Sequence, residues 1–97
     1  MAAYLVGDID VTNPAQFEEY KKLAPAAIAK FGGRYLIRGG AYETLEGDWK
    51  PQRVTVVEFE SMEKGKAFYN SPEYQAAIKV RKGAATMKML LVQGIYA

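Results

Sequence analysis

The sequence contains no cysteine and no histidine among its 97 residues. Without cysteine, the chain cannot form a disulfide, a zinc–thiolate site, an iron–sulfur cluster or a thiol nucleophile. Without histidine, it lacks the commonest general base, the commonest metal ligand and the usual ligand of haem iron. The oxygen ligands that remain hold transition metals weakly. We therefore expect no metal site and no cofactor.

Long hydrophobic runs and a strong net charge are also missing. No apolar segment approaches the ~18 residues that span a membrane, and residues 1–8 lack the basic region of a signal peptide. The net charge is only +2, which by itself does not indicate a polyanionic partner. We therefore expect a cytoplasmic protein without a membrane partner. Its length fits one domain over residues 1–97.

Proline and the residues before it mark where helices begin. Asn13, or the threonine before it, can cap a helix that starts at Pro14, because proline at the first helical position loses no hydrogen bond. The same signal recurs at Ser71 and Pro72, where a second helical segment is interrupted and starts again. Pro25, inside the first helix, is expected to kink it or to split it.

Four segments with β-branched or alternating apolar residues predict strands. The first helix separates the first two, a hairpin with its tip at 46–49 joins the second and third, and the second helical segment precedes the last. This β-α-β-β-α-β order predicts a ferredoxin-like α+β sandwich, a four-stranded antiparallel sheet with the helices on one face. The predicted strands cover residues 4–10, 34–45, 53–59 and 87–96.

The third and fourth strands are apolar on both faces. Because the helices cover only one face of the sheet, the other face must meet another protein surface, and a second copy of the chain is the simplest partner. We therefore expect a homodimer formed through the sheet. The alternating sets are Val54/Val56 and Val57/Phe59 in the third strand, and Met87/Met89/Leu91 and Leu90/Val92 in the fourth.

Four segments of the sequence are informative when they are taken together: GGRYLIRGG at 32–40, LEGDW at 45–49, VEF at 57–59 and FYNSPEYQ at 68–75. In this order they resemble a small bacterial family known as domain of unknown function 1330. The resemblance implies membership of the dimeric α/β-barrel superfamily, whose members pair ferredoxin-like sheets face to face. Related families include cofactor-free monooxygenases, lactone isomerases and haem enzymes, so the resemblance implies a fold and not a reaction.

Arg38 and Glu58 are the first candidates for a ligand-binding site. They lie on adjacent strands of the predicted hairpin, and a one-residue bulge at the glycine pair 39–40 would place both side chains on one face. There, the arginine could bind an anionic group and the carboxylate could bind a ligand or transfer a proton. The alternative is a structural ion pair or an arginine in solvent.

Tyr69 and Tyr74 are the second candidates, because they flank the break in the second helical segment. Their hydroxyls could bind a substrate oxygen or donate a proton. The alternative is that the rings pack and the hydroxyls bond locally. Ser71, between them, is expected only to cap a helix.

The sequence leaves two functions open for a dimer with a pocket between sheet and helices. One is a cofactor-independent enzyme that acts on a small organic molecule, anionic if Arg38 binds it, with Glu58, Tyr69 or Tyr74 as the catalytic residue. The other is a non-catalytic dimer that binds a small ligand or is purely structural. No nucleic-acid partner is expected, because the third strand lacks the interleaved aromatics and glycines with which RNA-recognition domains of this topology bind bases.

Overall fold

The computed structural model describes residues 1–95. Along the chain, the elements are β1 (Ala3–Val11), α1 (Pro14–Lys30), β2 (Arg34–Arg38), β3 (Val54–Phe59), α2 (Met62–Tyr69), α3 (Pro72–Arg81) and β4 (Ala85–Gln93). The strands form one antiparallel sheet in the spatial order β2–β3–β1–β4. This confirms the predicted ferredoxin-like fold. Within residues 1–95, none of the helices combines the length and apolar character needed to cross a membrane.

Each helix begins at a residue whose side chain accepts a backbone hydrogen bond. Asn13 caps α1, Ser61 caps α2 and Ser71 caps α3. The Ser71 hydroxyl also donates to the carbonyl oxygen of Phe68 at 2.7 Å, so one side chain joins the end of α2 to the start of α3. The predicted interruption of the second helical segment is therefore confirmed.

Pro25 lies inside α1, which continues through it as a single helix. Of the two predicted effects of this proline, a split of the helix is therefore wrong, and a kink remains a prediction. Proline removes one hydrogen bond from a helix, and the buried side chains of Ala24, Ala27 and Ile28 pack on either side of it in the core. That packing holds both halves of the helix against the same surface.

Two glycines end α1 and begin the turn into β2. Gly32 has a positive φ of 74°, and its N–H donates to the carbonyl oxygen of Ala29 at 3.0 Å. The N–H of Gly33 donates to the carbonyl oxygen of Ile28 at 2.9 Å, which completes a Schellman cap. A Cβ atom on Gly33 would lie only 2.6 Å from the ring of Phe59. The second glycine is therefore required by close packing of the helix end on the sheet.

The connection between β2 and β3 is longer than predicted. β2 ends at Arg38, and residues 39–53 form an irregular connection where the sequence predicts a longer strand and a tight turn. Gly39 adopts a φ of 68°, a left-handed conformation that turns the chain out of the strand. Within the connection, the Tyr42 hydroxyl donates to the carbonyl oxygen of Pro51 at 2.5 Å. The connection is thus held by its own side chains and not by a strand ladder.

β4 also differs from its predicted bounds. It begins at Ala85, two residues before Met87, and ends at Gln93. The predicted last residue, Tyr96, lies outside the described residues. The earlier start is explained by β1, which pairs with β4 along its whole length, from Ala3 to Val11.

A β-bulge interrupts the pairing of β2 with β3. The register shifts between Tyr35 and Ile37, so Leu36 is an extra residue on β2. The prediction of a bulge at residues 39–40 is wrong, because the strand has already ended there. The position of the bulge decides which side chains of β2 face the helices.

The predicted pairing of Arg38 with Glu58 is also wrong. Arg38 lies opposite Thr55, whereas Glu58 lies opposite Arg34. Because side chains alternate along β3, those of Thr55 and Glu58 point to opposite faces of the sheet. Arg38 is therefore on the side of the helices, and Glu58 is on the other side.

The two faces of the sheet differ in what covers them. Val57 faces the helices and is 1% exposed, whereas Leu90, on the other face, is 66% exposed. In β3, Val57 faces the helices and Val56 the other side. In β4, Met89 faces the helices and Leu90 the other side. This confirms the prediction that the third and fourth strands are apolar on both faces. We call the uncovered side the open face. One apolar row crosses all four of its strands through the paired residues Ile37, Val56, Val6 and Leu90.

The Gly33→Ala variant is expected to lower the free energy of unfolding by about 1–3 kcal/mol, the usual cost of overpacking. The reason is the contact with Phe59 described above. Gly40→Ala is the matched control, because a Cβ atom at Gly40 meets nothing within 4 Å. Urea denaturation followed by circular dichroism measures both values, and equal losses in the two variants would contradict this account of the glycine pair.

Candidate functional site

A cavity lies between the helices and the helix-facing side of the sheet, and we call it the central cavity. Side chains from all three helices and all four strands line it. The volume of the cavity is about 50 Å³. That is room for several water molecules. Its walls are mostly apolar, and five of the lining residues are aromatic: Phe17, Tyr20, Tyr35, Phe68 and Tyr74.

Two buried hydroxyls meet at the closed end of the central cavity. The hydroxyl oxygens of Tyr20, on α1, and Tyr74, on α3, lie 2.6 Å apart. Either hydroxyl can donate in this bond. The Tyr74 hydroxyl also lies 3.9 Å from the sulfur of Met89, which is a weak acceptor. Besides Tyr20, Tyr74 therefore has one weak partner in the cavity wall.

Burial sets the protonation state of these tyrosines. It raises the pKa of Tyr20 well above the ordinary value near 10, and it raises the pKa of Tyr74 as well. Burial also raises the pKa of Tyr35, where the nearby charges of Arg38 and Arg53 act in the opposite direction. All three hydroxyls are therefore uncharged hydrogen-bonding groups at neutral pH.

Three cationic side chains line the open end of the central cavity: Lys21 of α1, Arg38 of β2 and Arg53, which directly precedes β3. The Arg38 guanidinium carbon lies 4.4 Å from the centroid of the Tyr35 ring, a cation–π contact that holds the guanidinium in place. Among the described residues, no aspartate or glutamate lines this cavity. Its open end is therefore positively charged.

The structure brings two of the four predicted site residues to the central cavity. Arg38 and Tyr74 line it. Glu58 is on the open face, where its carboxylate accepts from Arg34 Nε at 2.7 Å and from the Tyr4 hydroxyl at 3.3 Å. Tyr69 packs its ring 5.6 Å from that of Tyr74. Binding or catalytic roles for Glu58 and Tyr69 remain predictions.

Sequence reasoning missed five lining residues that carry polar groups: Tyr20, Lys21, Tyr35, Arg53 and Thr55. Tyr20 belongs to the apolar stripe of α1, and a tyrosine in such a stripe must bury its hydroxyl, which is the signal that could have identified it. Tyr35 pairs with Val57, and Arg53 and Thr55 alternate with that valine along the chain. The side of the sheet on which Val57 is buried is therefore the signal that could have identified these three residues. Lys21 forms an exposed ion pair with Glu18 at 3.3 Å, as many surface lysines do.

Alkaline pH should destabilise the protein through the Tyr20–Tyr74 pair. Unfolded tyrosines lose their protons near pH 10, whereas the folded pair keeps them, so its contribution to stability is complete below that pH and declines above it. The Tyr20→Phe/Tyr74→Phe double variant should therefore lose less of its free energy of unfolding between about pH 8 and about pH 11 than the wild type. Tyr69→Phe is the control and should lose as much as the wild type. Urea denaturation at both pH values provides the measurement, and equal losses in the double variant and the wild type would contradict the assignment.

Comparison with solved structures finds the same fold in other proteins. A protein of unknown function from Rhodopseudomonas palustris is 15% identical, with a TM-score of 0.76 over 99% of this chain and 84% of its own. A dimeric ferredoxin-like protein of unknown function from Jannaschia sp. CCS1 is 9% identical, with a TM-score of 0.69 over 97% of this chain and 100% of its own. SnoaB, a cofactor-independent oxygenase from Streptomyces nogalater, is 15% identical, with a TM-score of 0.63 over 99% of this chain and 95% of its own. At these identities, the similarities show the fold alone.

Sequence comparison gives the family. No curated protein matches the sequence. The family model described as Domain of unknown function (DUF1330) matches residues 2–95, which includes all seven helices and strands. The chain therefore belongs to the Domain of unknown function (DUF1330) family.

Proposed function

We propose that the protein is a homodimer that binds a small organic molecule in the central cavity of each subunit. The observation that carries the proposal is the cavity itself, which has apolar walls, a buried hydroxyl pair at one end and cations at the other. Small-molecule sites are typically apolar clefts with a few polar groups that orient the ligand. A purely structural core would be filled to the density of a crystal, so the space beside Tyr74 and Met89 favours a binding function.

The open face supports the homodimer. Ile37 and Leu90, at the two ends of its apolar row, are 46% and 66% exposed, and an apolar patch of this kind is typical of a protein interface. Trp49, from the β2–β3 connection, lines a surface hollow together with Val6 and Leu90, which extends the apolar surface beyond the strands. A second copy of the chain presents the same row, so two open faces can cover each other about a twofold axis.

Leu90→Glu should convert the dimer into a monomer. The charge would have to be buried against the partner, whereas in a single subunit this side chain is mostly in solvent and folding should be retained. Ala76→Glu, at an exposed position of α3, is the matched control and should remain dimeric. Sedimentation at micromolar concentration tests this against the subunit mass of 10.8 kDa. A monomeric wild type, or a Leu90→Glu variant that dimerises like the wild type, would contradict the proposal.

A cofactor-independent enzyme is a second candidate, and the Tyr20–Tyr74 hydrogen bond favours it. The Tyr74 hydroxyl lines the cavity beside the Met89 sulfur, a weak acceptor, so a bound oxygen can take the place of that sulfur and accept a hydrogen bond from Tyr74. Of the three residues predicted to be catalytic, Tyr74 is the one that lines the cavity. The fold is shared with SnoaB, which is a cofactor-independent oxygenase, but that likeness gives no residue of this chain a role.

Mass spectrometry of small molecules released from the purified dimer tests the cavity. The wild type should retain a molecule that Ala24→Leu excludes, because Ala24 lines the cavity and is 2% exposed. Ala29→Leu, on the exposed side of the same helix, should retain it. A molecule that is retained equally by Ala24→Leu would show that it binds elsewhere.

The same measurement separates binding from catalysis. Tyr74→Phe keeps the shape of the cavity and removes one proton donor. If the protein is an enzyme, this variant should accumulate an unconverted molecule that differs from the one on the wild type. If the protein only binds its ligand, the two proteins should carry the same molecule.

A further inference from the structure

We propose that Arg38 and Arg53 form a carboxylate-binding site at the open end of the central cavity, and that the ligand is a small aromatic carboxylate. This inference rests on the proposed function, because it assumes that the cavity binds a ligand. It adds the chemical class of that ligand and assigns Arg53 a role.

The fold brings the two arginines together from the two ends of the β2–β3 connection. Arg38 is the last residue of β2, and Arg53 directly precedes β3. Arg38 is opposite Thr55 in the sheet, and both arginines line the same cavity. The fourteen residues between the two arginines therefore leave the sheet beside Arg38 and return to it beside Arg53.

Local packing holds both guanidinium groups. Arg38 stacks on the ring of Tyr35 at 4.4 Å. Arg53 occupies the space beside Gly39, where an added Cβ atom would collide with its Nε and lie 3.0 Å from its Cγ. Two guanidinium groups that are held before the ligand arrives lose less conformational freedom on binding than two free surface arginines.

Among the described residues, neither Arg38 nor Arg53 forms an ion pair with a carboxylate. The ion pairs found there involve Lys21, Lys22, Lys30 and Arg34 as cations. Burial raises the pKa of Tyr35 and the charges of both arginines act to lower it, which shows that two like charges lie near one ring. Two adjacent cations without a carboxylate repel each other, and a bound anion would remove that repulsion.

The walls of the rest of the cavity favour a flat apolar group as the uncharged part of the ligand. A guanidinium binds a carboxylate through two parallel hydrogen bonds, which places the charged group at the open end. Beyond it, the walls include the aromatic rings of Phe17, Phe68 and Tyr74, against which a flat apolar body can pack. A singly charged head with an aromatic body therefore fits this gradient from cationic to apolar better than a doubly charged phosphate.

Titration of the wild-type dimer with benzoate and with benzyl alcohol, followed by NMR of the backbone amides, tests the inference. Benzoate should bind at least about tenfold more tightly than benzyl alcohol, because each charge-assisted hydrogen bond contributes more than a neutral one. Arg38→Met and Arg53→Met should abolish that preference, since methionine keeps an unbranched apolar stem without the charge. Lys22→Met, which removes a charge from the outer side of α1, is the control and should keep it.

The outcomes distinguish this inference from the proposed function. If benzyl alcohol binds in the cavity but benzoate shows no preference, or if the preference survives in the arginine variants, the carboxylate site is overturned and the cavity remains a binding site. If inorganic phosphate displaces benzoate at equal concentration, the assignment to a carboxylate is overturned. If neither aromatic probe binds, both proposals fail. Arg38 is exposed at a strand end, so Arg38→Met decides the question if Arg53→Met does not fold.

Discussion

The sheet has apolar side chains on both of its faces, but the helices cover only one of them. This mismatch is the constraint from which the other features of the structure follow. On the covered side, Val57 and Phe59 pack against the helices and are almost fully buried. On the open face, an equally apolar row is left exposed. The same four strands thus provide a core with a cavity on one side and a surface suited to a second copy of the chain on the other.

The bulge at Leu36 determines which side chains of β2 lie on each face of the sheet. With regular pairing, the residues of β2 after the bulge would have the opposite orientation. The bulge instead directs Arg38 to the cavity and leaves Ile37 on the open face. One extra residue therefore gives the cavity its arginine and completes the apolar row on the other side.

The cavity combines groups from distant parts of the chain. Tyr20 and Tyr74 are 54 positions apart in sequence, yet their hydroxyls form one short hydrogen bond, because α1 and α3 pack side by side. Arg38 and Arg53 line the same cavity because the long connection returns to the point where it left the sheet. The buried hydroxyl pair and the two arginines are among the polar groups that line this apolar cavity and can orient a ligand there.

The order of elements, the helix caps and the two-faced strands are determined by the sequence alone, because they depend on local signals. Asn13, Ser61 and Ser71 cap the helices they precede through contacts three residues away. The site was only half predictable, with Arg38 and Tyr74 in the cavity and Glu58 outside it. Tertiary structure decided this difference, because the bulge and the 39–53 connection set the register of β2, and local propensity does not encode which partner a strand residue will face. Because side chains alternate along a strand, that register also determined on which face of the sheet each β2 residue of the candidate site lies.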